Sequence, residues 1–135
     1  MSIGYEGFAC LIEQDEEHFL YSYGCSNWND EKYMNRERIM DGFIMINKNC
    51  LVEPEIHRKL KRFPNGRKRM VEKRIPVEVP YEMLFESGAI SVDNSVNCWR
   101  VTDREIDCIA LRLIWKMFND YQLTGVLPEK VYYMV

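Results

Sequence analysis

The stretch TDREIDCIALRLIWKMFNDY, residues 102–121, decides how the rest of the chain is read. Thr102-Asp103-Arg104-Glu105 has the form of a capping box, in which the threonine oxygen accepts from the third helical N–H and the glutamate returns to the threonine N–H. Ile106, Ile109, Ala110, Leu113, Ile114, Met117, Phe118 and Tyr121 then recur at helical spacing, and Cys108, Leu111 and Trp115 add a second apolar stripe. Only Arg112, Lys116, Asn119 and Asp120 mark a wet side. The pattern predicts one long helix over about 103–121. A helix so apolar is expected to be the central core element, embraced by a sheet and the end of the chain; the alternative is cover by another subunit.

Strands to cover that helix are found on both sides of it. Tyr5 to Glu13 and His18 to Gly24 are apolar, aromatic-rich runs joined by Gln14-Asp15-Glu16-Glu17, the pattern of a hairpin, and Phe19, Tyr21 and Tyr23 share one face. Cys25 to Asp30 reads as a loop whose Trp28 plugs the core. Gly42 to Ile46, apolar on both faces, reads as a central strand turning at Asn47-Lys48-Asn49. Pro128 to Val135 ends in Val-Tyr-Tyr-Met-Val, so the last strand is expected to be docked, not frayed.

The middle of the chain supplies connectors. Pro54 suits a first helical position, Glu53 and Glu55 suit the positive end of the dipole, and Ile56, Leu60 and Phe63 recur at i, i+4 and i+7. These features predict a short helix with those three side chains turned inward, stopped by Pro64-Asn65-Gly66. Met70 to Val79 alternates as a strand, with Pro76 marking an edge or a bulge. Pro80 to Glu86, closed by Ser87-Gly88, predicts a second short helix, and Ile90 to Val101 a hairpin folded about Asp93-Asn94-Ser95. The expected fold is α+β: one domain over 1–135 with a mixed, mainly antiparallel sheet of five to seven strands, packed on the long helix with two short connector helices.

Composition agrees with one globular domain: 135 residues, 47% hydrophobic and 29% charged. The N-terminus has no basic region before its short apolar stretch, and no window reaches the ~18 apolar residues of a membrane span. Five scattered cysteines, an odd number without a C-x-x-C, are read as reduced thiols of a cytoplasmic protein. No metal or cofactor motif is present, and Gly4-x-x-Gly7 lacks the following helix and lysine of a phosphate cradle. His18 and His57 are the residues an enzyme would have to use, but neither stands in a recognisable nucleophile context. Asp15 with Asp30-Glu31-Lys32 has the residue types of a metal-dependent nuclease, yet both pieces fall in expected loops.

Charge distribution is the one anomaly. Arg58, Lys59, Lys61, Arg62, Arg67, Lys68, Arg69, Lys73 and Arg74 gather nine cations against the single acid Glu72, a local net of +8 in a chain whose total is −3, which leaves −11 for the remainder. The spacing puts most of these cations on one projection. The expected function is that of a non-enzymatic protein, a regulator or inhibitor, that binds a protein partner or a second copy of itself. The alternative is binding of a nucleic-acid backbone through the basic arm 58–74. Two features of the arm argue against the alternative: a basic helix too short to read a duplex groove, and no aromatic left free for stacking.

Overall fold

The computed structural model describes residues 4–135 and is α+β. Its strands are Tyr5–Gln14 (β1), His18–Asn27 (β2), Gly42–Asn47 (β3), Glu55–Arg62 (β4), Lys68–Ile75 (β5), Ile90–Asp93 (β6) and Lys130–Met134 (β7), and its helices Tyr81–Glu86 (α1) and Cys108–Thr124 (α2). Five strands form one sheet in the order β6-β3-β2-β1-β7, every neighbouring pair antiparallel, so the sheet is not mixed. The remaining two, β4 and β5, pair only with each other.

The N-terminal hairpin forms where alternation predicts it, with Leu11 opposite Tyr21, Ala9 opposite Tyr23 and Gly7 opposite Cys25. Asp15 closes its turn, one carboxylate oxygen accepting from the N–H of Glu17 at 2.8 Å and of His18 at 2.7 Å. β2 runs on through Cys25, Ser26 and Asn27, which the sequence reading left in a loop. Trp28 does not plug the core: it is half-buried beyond the strand, its indole N–H donating to Glu6. β7 docks on the far side of β1, with Val131 opposite Ala9.

α2 packs on one face of this sheet. Tyr21, Tyr23, Ile44, Ile46 and Ile90 from the strands meet Ala110, Leu113, Ile114, Met117 and Phe118 from the helix, none more than 1% exposed. The approach is closest at Gly7, where an added Cβ would lie 2.3 Å from Cγ2 of Ile109. Strand alternation and helical period thus converge on one apolar layer, the arrangement in which each element buries its own stripe.

Three further sequence expectations are corrected. The long helix begins at Cys108, not near 103, because Glu105 has a φ of 62° and cannot continue a right-handed turn. Thr102 therefore closes a turn, its hydroxyl accepting from the N–H groups of Arg104 and Ile106 at 3.3 Å, while Asp107 is the true N-cap and accepts from the Ile109 N–H at 2.9 Å. The hairpin expected over 90–101 is only half formed. After β6 the side chains of Asn94 and Ser95 bond to the backbone of Glu105 and to Asp41, respectively, drawing the chain away from a return strand.

The third correction matters most for function. Residues 53–63 are not a connector helix: Glu55 to Arg62 is strand β4, leaving α1 as the only short α-helix among the described residues. The spacing i, i+4 of Ile56 and Leu60 is even, so it satisfies period two as well as 3.6; only Phe63, at the odd spacing i+7, separates the two readings, and it falls beyond the strand. Pro64-Asn65-Gly66, read as a helix stop, is a hairpin turn. Gly66 takes a φ of 84°, its N–H donates to the Phe63 carbonyl at 3.0 Å, and the Phe63 N–H donates to Arg67 at 2.8 Å.

A candidate binding arm

The hairpin of β4 and β5 carries all nine cations singled out in the sequence. Every residue from Glu55 to Lys73 is exposed, so this ribbon stands off the body along nearly its whole length. Ile56 and Leu60, expected to turn inward, are 46% and 53% exposed, and Phe63 lies at the tip, 37% exposed. An antiparallel pair has two faces, and the register divides the charge between them. Lys59, Lys61, Arg69 and Lys73 share one face with His57; Arg58, Arg62, Lys68 and Arg74 share the other with Ile56, Leu60 and Met70.

Few of these charges are neutralised. Arg58 pairs with Glu72 directly across the ribbon at 3.0 Å. Arg74 donates from Nε to the backbone oxygen of Gln122 at 2.8 Å, at the C-terminal end of α2, where the helix dipole favours a cation. Lys59, Lys61, Arg62, Arg67, Lys68, Arg69 and Lys73 form no ion pair among the described residues.

The root is fastened where the ribbon meets the body. Gln122, 2% exposed, accepts from the Val77 N–H at 2.6 Å and donates to the Val77 carbonyl at 3.0 Å, so one buried amide satisfies both backbone groups just after β5. Tyr121 adds a hydrogen bond to Glu53 just before β4. Both ends of the ribbon are thus tied to the last turn of α2. Sequence reasoning missed this clamp; its one signal is a polar Gln122 beside the apolar stripe of the helix.

Other chemistry-bearing residues are dispersed. His18 faces Asp15 at 3.6 Å, and His57 faces Glu55 at 3.2 Å on the ribbon; neither hydrogen-bonds a serine or cysteine among the described residues. Asp15 and Asp30 lie at opposite ends of β2, about 30 Å apart for ten extended residues. Asp30, like Asp15, caps its own turn, accepting from the Lys32 N–H, so the nuclease arrangement is not assembled. All five cysteines are free thiols. Among the described residues no group of three or more His, Cys, Asp or Glu side chains converges to hold a metal ion, and no helix is long and apolar enough to cross a membrane.

Two buried carboxylates were not foreseen. Glu6, 4% exposed, pairs with Arg38 and accepts from Trp28 at 3.3 Å and from the Tyr132 hydroxyl at 3.0 Å, beside a cavity of about 300 Å³ lined in part by Phe8, Cys10, Met40 and Lys130. Arg38 has a φ of 55° and stacks its guanidinium 4.2 Å from the Phe8 ring centre. Asp107, 1% exposed, accepts from the Tyr23 hydroxyl at 2.8 Å and the Cys25 thiol at 3.6 Å while capping α2. In both clusters the carboxylate is surrounded by donors, which suits a structural role. Comparison of the chain with protein-family models, with curated proteins and with solved structures found no match.

Proposed function

We propose that this protein binds an anionic macromolecule through the β4–β5 ribbon, which acts as an arm on a rigid α+β body. The observation that carries the reading is the ribbon's full exposure from Glu55 to Lys73, with seven cations that form no ion pair among the described residues. Exposed charges on a protruding arm attract an opposite charge at a distance and lose little solvation until contact is made. Two kinds of partner present that chemistry: an acidic protein surface, the −10 body of a second copy included, and a nucleic acid. By occupying a partner's surface in this way, such a protein acts as a regulator or inhibitor of it.

The test separates where the charge is from how much there is. A Lys59→Glu/Lys61→Glu/Lys73→Glu variant and a Lys32→Glu/Arg36→Glu/Arg112→Glu variant change the net charge equally, the first on the ribbon and the second on exposed body positions. On immobilised heparin the ribbon variant is expected to elute at much lower salt than the wild type, and the body variant close to it. Equal losses from both variants would sink the reading.

A further inference from the structure

We infer that the anionic partner is a B-form DNA duplex and that the ribbon lies in its major groove; the inference rests on the reading of the ribbon as the binding arm. The major groove, ~12 Å wide and ~8.5 Å deep, admits either an α-helix or a two-stranded β-ribbon. The first objection to a duplex, a basic helix too short for a groove, falls away because the element is the other one a groove accepts.

The division of charge argues for a groove over a flat surface. Free cations stand on both faces of the ribbon: Lys59, Lys61, Arg69 and Lys73 on one, and Arg62 and Lys68 on the other, where Arg58 is paired with Glu72 and Arg74 is held at the root. A protein surface meets one face and leaves the free charges of the other in solvent, whereas a groove has phosphates along both walls, within reach of long side chains from either face. Side-chain chemistry also fits the floor: Arg62 can span the two acceptors of a guanine, and Ile56, Leu60 and Met70 on the same face offer apolar contact to thymine methyls.

Eight paired residues span about 25 Å, most of one ~34 Å turn of the duplex. The ribbon carries a single aromatic, Phe63 at its tip, so it has no platform for stacking the bases of a single strand. Double-stranded RNA presents a major groove too deep and narrow for side chains to read. The remainder of the molecule, at −10, is repelled by the same phosphates, which restricts the contact to the arm.

The experiment titrates a labelled 20-base-pair DNA duplex with the protein, read by fluorescence polarisation, at salt from about 50 to 200 mM. Competitors are a single strand of equal length, an RNA duplex, poly-L-glutamate and heparin. Two variants remove the free cations of one face each: Lys59→Ala/Lys61→Ala/Arg69→Ala/Lys73→Ala, and Arg62→Ala/Lys68→Ala. All six side chains are exposed, and circular dichroism checks that both variants fold. With about six phosphates neutralised, affinity for the duplex is expected to fall roughly a thousandfold across that range, and each variant to bind more weakly with a shallower salt slope. Equal competition by the single strand or the RNA duplex overturns the inference. Tighter binding of poly-L-glutamate, with only one face needed, also overturns it and assigns the arm to an acidic protein. Heparin binding without duplex binding removes the DNA assignment alone, while failure to bind any of these polyanions at about 50 mM salt removes the reading of the arm itself.

Discussion

Single side chains hold the body together at points the sequence only partly disclosed. Asp107 joins three jobs, capping α2 and accepting from Tyr23 and Cys25, while the Tyr23 hydroxyl in turn accepts from the Ser95 N–H at 2.8 Å. Asp107→Ala removes a cap worth about 1 kcal/mol and leaves a buried hydroxyl without its acceptor, a further ~1–3 kcal/mol. Urea denaturation is expected to show a loss of about 2–3 kcal/mol; a loss below ~0.5 kcal/mol would contradict the assignment. Gly7→Ala drives a methyl into Ile109 across a packed layer and is expected to cost about 1–3 kcal/mol, measured in the same way. Burial pushes the Cys98 thiol up to about 11 and the Tyr81 phenol up to about 12, and raises Tyr21, Tyr23 and Cys25 further, the Asp107 charge adding to burial for Cys98, Tyr23 and Cys25. The folded state holds these protons more tightly than the unfolded chain. Their stabilisation is complete below the ordinary thiol value of 9.0 and is lost progressively as pH rises through 9 to 12. The Tm is expected to be flat from pH 7 to 8.5 and to drop above pH 9; an unchanged Tm at pH 11 would contradict this. Asp107 was not read as the cap because the Thr102–Glu105 pattern took that role in the sequence, and only the left-handed Glu105 shows that the helix starts later. Glu6 gave no signal, because its partners Trp28, Arg38 and Tyr132 come from three distant parts of the chain.

At the level of elements, the strands facing α2 were legible because they are short apolar, aromatic-rich runs bounded by turn residues, and α2 because its stripe is long. β4 was not, since a two-turn helix and an eight-residue strand share the even spacing of Ile56 and Leu60, and tertiary burial, the usual arbiter, is absent from a strand exposed at every residue. Its cations also have a consequence for solubility. Both outer edges of the ribbon are unpaired among the described residues, and repelling side chains along them oppose edge-to-edge association. The ribbon lends the body no core residue. Replacing residues 55–75 by a short glycine-serine link is therefore expected to leave the cooperative unfolding transition of the body in place, with Tm within a few degrees; loss of the transition would show that the ribbon is structural. The clamp at its root predicts the complementary result. Gln122→Ala leaves the Val77 N–H and carbonyl without partners and is expected to cost about 1–3 kcal/mol and to speed amide exchange near Val77. Unaltered exchange there would show that Gln122 does not fasten the arm.

For the molecule as a whole, the governing feature is the separation of a +7 ribbon, residues 55–75, from a −10 body. The charge run was plain in the sequence. Its geometry was not: a presumed helix with one inward-facing aromatic gave poor grounds for groove binding, whereas the two-faced ribbon with Phe63 at its tip is the groove-sized element on which the proposal of a DNA partner rests. The same separation orients encounter, since a polyanion is drawn to one end of the molecule and repelled from the other, and the effect is screened within ~10 Å at about 0.1 M salt. Amide hydrogen exchange along the chain, recorded with and without saturating heparin at about 50 mM salt, tests the central claim most directly. Slowed exchange confined to residues 55–75 is the predicted result. Slowing concentrated on the five-stranded sheet or on α2, with the ribbon unchanged, would contradict it.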